Sequence, residues 1–257
     1  MPDFTITFIC HSDLPLTKLT IAHTIKSLCS YTQLTYDLIL IVDNCPLSER
    51  SSFIDIYDKL GFSEIRFRSR NHNVSSGDPS NNGHYYAFTT NTPYQITIES
   101  DVVVIRKSGD TTDVLQQIKD FFVQYPTVSV AYKIDDFHCW AEKLEFYEDF
   151  SAGIKNASRV SSHFLIYNTN NAQSRFVASA KRTDLFHDSE TAWYNYEDYI
   201  GKTFRKSTCE PGIAFLEYLP ISVYHCDEKI ADGSPFYSKN LSRKIGIFHE
   251  RLFNERI

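Results

Sequence analysis

Two carboxylates interrupt an apolar stretch in the first half of the chain. The segment 94–105 reads YQITIESDVVVI, a strand pattern that is broken by Glu99 and Asp101. Residues i and i+2 of a strand point to the same face, so these side chains would lie together unless the strand ends between them. Two negative charges so close require a cation, and Mg²⁺ and Mn²⁺ prefer oxygen ligands. The pattern indicates a divalent metal site, with strand-end solubility or local capping as the alternative.

Other acids and a histidine stand at similar places along the chain. The near-continuous apolar run 36–43, YDLILIVD, is typical of a strand buried on both faces of a parallel sheet, and it ends in Asp43. Further on come the pair Glu197 and Asp198, and then His225 at the end of the segment 216–225. Each has a structural alternative: Asp43 as a helix cap, the acid pair as the first turn of a helix, and the histidine as an ordinary strand end.

Strands and helices alternate through residues 4–132, and this alternation positions the acids. Strand patterns occupy 4–10, 36–43, 64–67, 94–105 and 127–132, with helical patterns between them and a long loop at 71–83. The predicted inner face of the first helix consists of Leu19, Ala22, Ile25 and Cys29. The order predicts a mostly parallel sheet with helices on both faces. Because ligands collect at the carboxyl ends of the strands in such sheets, the acids can meet there.

The composition of the 257 residues is that of an ordinary folded protein. Hydrophobic residues make up 42% and charged residues 23%, which excludes a disordered or collagen-like chain. The formal charge of −6 disfavours nucleic-acid binding. The six cysteines include no C-x-x-C pair, so we expect reduced thiols rather than a disulfide framework or a zinc site. Since the sequence shows no signal-peptide pattern and no apolar run of ~18–20 residues, we expect a cytoplasmic protein.

The turn after the first strand carries no phosphate-binding glycines. His11, Ser12 and Asp13 stand where a G-x-G-x-x-G fingerprint or a P-loop would be. Their presence excludes a Rossmann dehydrogenase and a P-loop NTPase. A divalent cation on carboxylates is the remaining way to hold a pyrophosphate at an acidic site.

Taken in order, these motifs resemble the GT-A glycosyltransferases, most closely the broad family 2 type. The matching positions are Ile9-Cys-His-Ser12, Asp43, Glu99-Ser-Asp101, Glu197-Asp198 and His225. Two departures are a glutamate for the first aspartate of D-x-D and Tyr196 where a glycine often precedes E-D. The resemblance implies an α/β fold with a Rossmann-like, mostly parallel central sheet flanked by helices, as a single domain. Residues 1–132 would form the nucleotide-sugar half, and residues 133–257 the acceptor half with a C-terminal helix.

The resemblance also implies a reaction and a role for each residue. A sugar would pass from a nucleoside-diphosphate donor to a hydroxyl of a glycan, lipid-linked or protein acceptor, with inversion and with Mn²⁺ or Mg²⁺. Asp198 would be the general base, and Glu197 is the competing candidate. Asp101 and His225 would hold the metal. The nucleotide sugar would bind at Cys10, His11, Asp43, Glu99 and Ser100, where Asp43 contacts the base and Glu99 the ribose or a metal-bound water.

Weaker patterns extend this site and leave two other classes of function open. Arg70, at the start of the long loop, is a candidate for the diphosphate or the base, and Trp140, Trp193 and Tyr194 are candidates for stacking on an acceptor sugar. The amphipathic tail 241–257 would pack on its own domain or lie on an anionic membrane. A metal-dependent phosphohydrolase or nucleotidyltransferase could use the same acids, although the G-x-G-x-R-L opening of sugar nucleotidyltransferases is missing. A non-catalytic nucleotide- or glycan-binding domain is the third class.

Overall fold

The computed structural model describes most of the first half of the chain and four shorter stretches of the second. The described residues are 1–10, 14–69, 87–89, 91–100, 102–133, 135, 147–157, 163–171 and 213–225. Several predicted site residues lie outside them, namely His11, Arg70, Asp101, Trp140, Trp193, Tyr194, Glu197 and Asp198. The predicted C-terminal helix at 241–257 also lies outside them.

The described elements are eleven strands, three α-helices and one 3₁₀ turn. The strands are β1 (Phe4–Cys10), β2 (Tyr36–Asp43), β3 (Glu64–Arg68), β4 (Tyr94–Glu99), β5 (Val102–Arg106), β6 (Val130–Tyr132), β7 (Tyr147–Ser151), β8 (Ile154–Ala157), β9 (Phe164–Asn168), β10 (Ile213–Leu216) and β11 (Ile221–His225). The helices are α1 (Leu14–Cys29), α2 (Arg50–Leu60) and α3 (Val114–Gln124), with the 3₁₀ turn at Leu47–Glu49. No helix among them is long and apolar enough to cross a bilayer.

Nine of these strands form one sheet in the order β3-β2-β1-β4-β9-β6-β10-β8-β7. The pairs β1–β2, β1–β4, β2–β3 and β6–β10 are parallel. Within this sheet β9 and β8 run opposite to both of their neighbours, and the other strands share one direction. The mostly parallel α/β sheet is therefore confirmed, and one edge of it collects the carboxyl ends of β1, β2, β4, β6 and β10.

The two faces of the sheet differ in chemistry because side chains alternate along each strand. One face presents Phe4, Phe8, Leu40 and Ile96 to the three helices, and these residues belong to one apolar core. Burying each of them stabilises the fold by roughly 1.5–3 kcal/mol. The opposite face carries buried polar side chains, including Thr5, Thr7, Gln95 and Thr97. By the same alternation Asp43 and Glu99 lie on this polar face, whereas Cys10 lies on the helix face.

The predicted strand at 94–105 is wrong as a continuous element. β4 ends at Glu99 and β5 begins at Val102, and β5 leaves the large sheet to pair with β11 in a two-stranded antiparallel sheet. Hydrogen bonds fix the chain at the break. The Ser100 N–H donates to the Ile9 carbonyl (2.9 Å), and the Thr20 hydroxyl donates to the Ser100 carbonyl (2.6 Å). The alternation of side chains along β4 therefore ends at Glu99.

The departure of β5 from the sheet also changes which side of α1 is buried. The fully buried positions of α1 adjoin the predicted ones in sequence. They include Thr20, Ile21, Thr24 and Leu28, whereas the predicted inner face consisted of Leu19, Ala22, Ile25 and Cys29. Ile25 and Cys29 are only partly buried. Two of the buried residues are threonines whose hydroxyls bond to the chain around the break: Thr20 donates to the Ser100 carbonyl, and Thr24 accepts from the Val104 N–H of β5 at 3.0 Å.

Candidate functional site

The described residues predicted to bind a nucleotide sugar lie at neighbouring strand ends. In register, Cys10 of β1 pairs with Val42, the residue before Asp43, and Ile9 pairs with Glu99 of β4. Ser100 follows directly and is buried. The topology thus brings Cys10, Asp43, Glu99 and Ser100 to one edge of the sheet. Their contacts with a donor stay predictions.

Cys10 differs from the other three residues because its side chain points into the core under the helices. It is 0% exposed and packs within the apolar cluster. Burial likewise raises the pKa of the Cys29 thiol to about 12. A thiol that is buried in apolar surroundings is a poor nucleophile and a poor metal ligand. A ligand at the sheet edge would therefore meet the main chain of Cys10 rather than its sulfur.

Asp43 is held in a buried ion pair with Arg68 at the end of β3. The guanidinium donates to both carboxylate oxygens, with Nε–Oδ1 at 2.6 Å and Nη2–Oδ2 at 2.7 Å. The side chain of Asp43 is 0% exposed, and that of Arg68 is 7% exposed. The two residues are partners in the β2–β3 register, and the Asn44 N–H donates to the Arg68 carbonyl at 2.7 Å. The chain thus neutralises the charge of Asp43 with its own arginine.

Glu99 is paired with a histidine that the sequence did not point to. Glu99 Oε2 lies 2.7 Å from Nδ1 of His163, the residue before β9. The Glu99 N–H also donates to the His163 carbonyl at 3.1 Å, one step beyond the last β4–β9 register pair. The Glu99 side chain is 22% exposed and the imidazole is 11% exposed. The carboxylate is therefore partly accessible at the end of β4, and the imidazole is the more buried of the two side chains.

The two-stranded sheet brings the far end of the described chain to the same place. In the β5–β11 register His225 is opposite Val102, the residue after Asp101. Asp135 fixes this strand near its end, because its Oδ2 accepts from the Val223 N–H (2.7 Å) and its own N–H donates to the Val223 carbonyl (2.8 Å). The backbone of His225, one of the two predicted metal ligands, is thus paired with the residue that follows the other predicted ligand in sequence.

A buried lysine completes the charges at this edge. Lys133, which follows β6, is 2% exposed, and its Nζ lies 3.1 Å from Asp135 Oδ1 and 3.4 Å from the Glu217 carbonyl. The ammonium also stands 5.7 Å from the centroid of the Phe215 ring. The lysine joins the ends of β6 and β10 to the residue that holds β11.

Sequence reasoning missed His163, Lys133 and Asp135 as site residues. The available signal was weak: His163 stands directly before an apolar strand segment, Lys133 stands directly after one, and Asp135 follows Lys133 by two residues. Their significance depends on β9 and β10 entering the sheet beside β4 and β6, which no local pattern reveals. In the part of the chain that is described, no three His, Cys, Asp or Glu side chains come together as a metal site.

Comparison with known proteins identifies the fold. No protein-family model matches the chain, and no curated protein matches it in sequence. Among solved structures, UDP-glucose pyrophosphorylase complexed with UDP-glucose matches with a TM-score of 0.54 at 9% identity, covering 96% of this chain and 99% of that one. S. aureus TarS matches with a TM-score of 0.53 at 10% identity, covering 95% of this chain and 39% of that one. The chain thus spans about two-fifths of the length of TarS.

A third solved structure is the galactosyltransferase LgtC in complex with donor and acceptor sugar analogs. It matches with a TM-score of 0.50 at 12% identity, covering 98% of this chain and 97% of that one. The chain has the GT-A-like α/β fold that the motif order implied, with a large, mostly parallel sheet. At these identities the similarity concerns the fold alone, since one fold hosts many reactions.

Proposed function

We propose that this protein is a glycosyltransferase that moves a sugar from a nucleoside-diphosphate donor to a hydroxyl acceptor, with the donor bound at the carboxyl edge of β1, β2 and β4. Two of the solved structures with the same fold hold UDP-glucose or sugar analogs of a donor and an acceptor, which supports this choice of ligand class. In sheets of this kind ligands bind beyond the carboxyl ends of the strands.

One observation carries the proposal: residues far apart in sequence meet at this edge. The β5–β11 register sets His225 opposite Val102, and the break at 99–102 sets Glu99 at the mouth of β4. Of the motif residues that resemble the donor and metal residues of glycosyltransferases, Glu99 and the backbone of His225 are thus close to the same break in the chain, which supports the proposal.

The predicted metal ligands suit a divalent cation. Asp101 and His225 would hold Mn²⁺ or Mg²⁺ through oxygen and imidazole nitrogen, and Glu99 stands two residues before Asp101 in sequence. Such an ion would offset the negative charge that develops on the leaving diphosphate. Among the described residues near β11, the buried cation is Lys133, and that ammonium is paired with Asp135.

The chain's own groups would then divide the remaining work. Glu99, with its partly exposed carboxylate, would accept a hydrogen bond from the ribose. Asp198, or Glu197 beside it, would take the proton from the acceptor hydroxyl, which typically contributes ~10²–10⁴-fold. Attack from the face opposite the diphosphate would invert the anomeric centre.

Thermal unfolding with UDP, GDP, dTDP and CMP, each with and without Mn²⁺, tests the donor site. We expect one nucleotide to raise the melting temperature, more so with Mn²⁺, and Asp101→Ala to remove the metal-dependent part. Stabilisation by none of the four would refute the donor site. With a donor identified, Asp198→Asn should bind it normally but turn over ~10²–10⁴-fold more slowly. Undiminished turnover would transfer the base role to Glu197, which Glu197→Gln then tests.

A nucleotidyltransferase is the alternative that the match to UDP-glucose pyrophosphorylase keeps open. The connection between β1 and α1 argues against it, because its three residues 11–13 contain no glycine with which backbone amides could approach phosphates. Incubation with a nucleoside triphosphate and a sugar 1-phosphate decides the matter. Release of pyrophosphate in that assay, but no sugar transfer from a nucleotide sugar, would favour the alternative. Donor binding without either reaction would favour a non-catalytic domain.

A further inference from the structure

The side chain of Glu99, at the end of β4, is one methylene longer than that of the aspartate in the D-x-D pattern. It pairs with His163, the residue before β9. Glu99 Oε2 meets His163 Nδ1 at 2.7 Å, across the join between β4 and β9. A carboxylate only accepts hydrogen bonds, so Nδ1 of the imidazole carries the proton. The backbone bond from the Glu99 N–H to the His163 carbonyl, at 3.1 Å, fixes both residues in the same cross-strand position.

We propose that His163 is a positioning residue of the donor site, which holds the Glu99 carboxylate in the one orientation that binds the donor. This inference rests on the proposed function. Glutamate has one more rotatable bond than aspartate, so its carboxylate loses more freedom when it is fixed. A charge-assisted hydrogen bond from a mostly buried imidazole compensates for that loss. The imidazole engages Oε2, and this contact fixes the plane of the carboxylate at the strand ends where the donor would bind.

The burial of the two side chains agrees with this division of roles. The imidazole is 11% exposed and the carboxylate is 22% exposed, so Glu99 is the more accessible of the two at the ends of β1, β2 and β4. His163 therefore acts through Glu99 rather than on a ligand. Partners of this kind, one step removed from the ligand, typically change affinity or activity by ~10–100-fold when they are removed.

Calorimetric titration of UDP and of GDP, each with Mn²⁺, tests the inference on five proteins: wild type, His163→Leu, His163→Asn, Glu99→Ala and the Glu99→Ala/His163→Leu double variant. We expect His163→Leu to raise the dissociation constant ~10–100-fold. His163→Asn keeps an N–H near the position of Nδ1 and should recover most of the affinity. In the Glu99→Ala background, His163→Leu should have almost no further effect, because the residue through which it acts is gone.

A structural role for His163 predicts a different pattern. The loss would then be the same in both backgrounds, and His163→Asn would restore nothing; either result overturns the inference. Wild-type affinity in His163→Leu overturns it as well. If wild type binds neither nucleotide, the proposed donor site fails for these bases, and the inference fails with it. Binding by wild type with additive variants, in contrast, leaves the function standing and removes only the role of His163.

Glu99→Asp tests the same idea without changing His163. This substitution restores the aspartate of the D-x-D pattern, but it draws the carboxylate back by about 1.5 Å, the length of one carbon–carbon bond. From 2.7 Å the contact with Nδ1 would then open beyond hydrogen-bonding distance. We expect weaker nucleotide binding, close to that of His163→Leu. Binding as tight as wild type, or tighter, would show that the histidine contact is dispensable.

Discussion

Replacing Arg68 by glutamine should destabilise this protein far more than replacing its neighbour Arg66. Both arginines lie on β3, and each donates two hydrogen bonds to one carboxylate. Arg68 holds Asp43 at 2.6 and 2.7 Å, and Arg66 holds Glu64 at 2.5 and 2.8 Å. The hydrogen-bond geometry of the two pairs is similar. They differ in burial, and in that Arg68 pairs with a residue of β2 whereas Arg66 and Glu64 stand two residues apart on β3. The Arg68–Asp43 side chains are 7% and 0% exposed, whereas those of Arg66–Glu64 are 30% and 48% exposed.

The difference in burial sets the expected magnitudes. Removing one partner of a buried pair leaves an uncompensated charge and costs about 3–5 kcal/mol. Two hydrogen bonds to charged groups, at roughly 1.5–3 kcal/mol each, give a similar figure. The exposed pair is screened by water and contributes about 0–1 kcal/mol, even though Arg66 lowers the pKa of Glu64. Arg68→Gln should therefore cost several kcal/mol more than Arg66→Gln.

Urea unfolding of the two single variants measures this difference directly, with the slope of the transition as a check that both unfold as wild type does. The double variant Asp43→Asn/Arg68→Gln provides the internal control. It removes the stranded charge, so it should recover part of the stability that Arg68→Gln loses. Equal losses in Arg68→Gln and Arg66→Gln would refute the reasoning, since burial would then have no effect on an ion pair of the same geometry.

Two further predictions concern an ion pair and a turn. The ammonium of Lys119 lowers the pKa of Asp3 from 3.8 to about 2. The free energy of unfolding of wild type should therefore exceed that of Asp3→Asn by its full amount above ~pH 5, and the difference should vanish as the pH falls towards ~2. Urea titrations at several pH values measure it. The difference in unfolding free energy should stay below about 1 kcal/mol because both side chains are about a third exposed. A difference that persists at ~pH 2 would contradict the prediction. Gly153→Ala should lower the melting temperature more than Gly109→Ala: both glycines have φ near +75°, but only at Gly153 would a Cβ lie 2.6 Å from that of Tyr218. Equal shifts would remove the steric part of the argument.

Local patterns were sufficient for the elements that belong to the parallel half of the sheet. The apolar runs predicted β1, β2 and β3 closely, and the end of β2 at Asp43 was read from the acid that terminates the run. Gly61 ends α2 with φ 71°, a conformation that glycine adopts without strain. These features depend on a few neighbouring residues, so the sequence carries them directly. The order of the motifs then implied the GT-A-like arrangement as a whole.

Contacts between distant segments were beyond the reach of those patterns. The apolar pattern of 94–105 fits one long strand as well as the observed β4 and β5. The break is explained by distant contacts: β5 pairs with β11, and the Thr24 hydroxyl of α1 accepts from the Val104 N–H. The position of β9 between β4 and β6 likewise decides that Glu99 meets His163.

The sequence by itself determined which residues end the strands and which of them carry charge, because burial and side-chain period are written locally. The tertiary structure alone decided the partner of each charge: Arg68 for Asp43, His163 for Glu99 and Lys133 for Asp135. The physical reason is that strand pairing is settled by the free energy of the whole sheet, and a one-residue shift of register would give every one of these side chains a different neighbour.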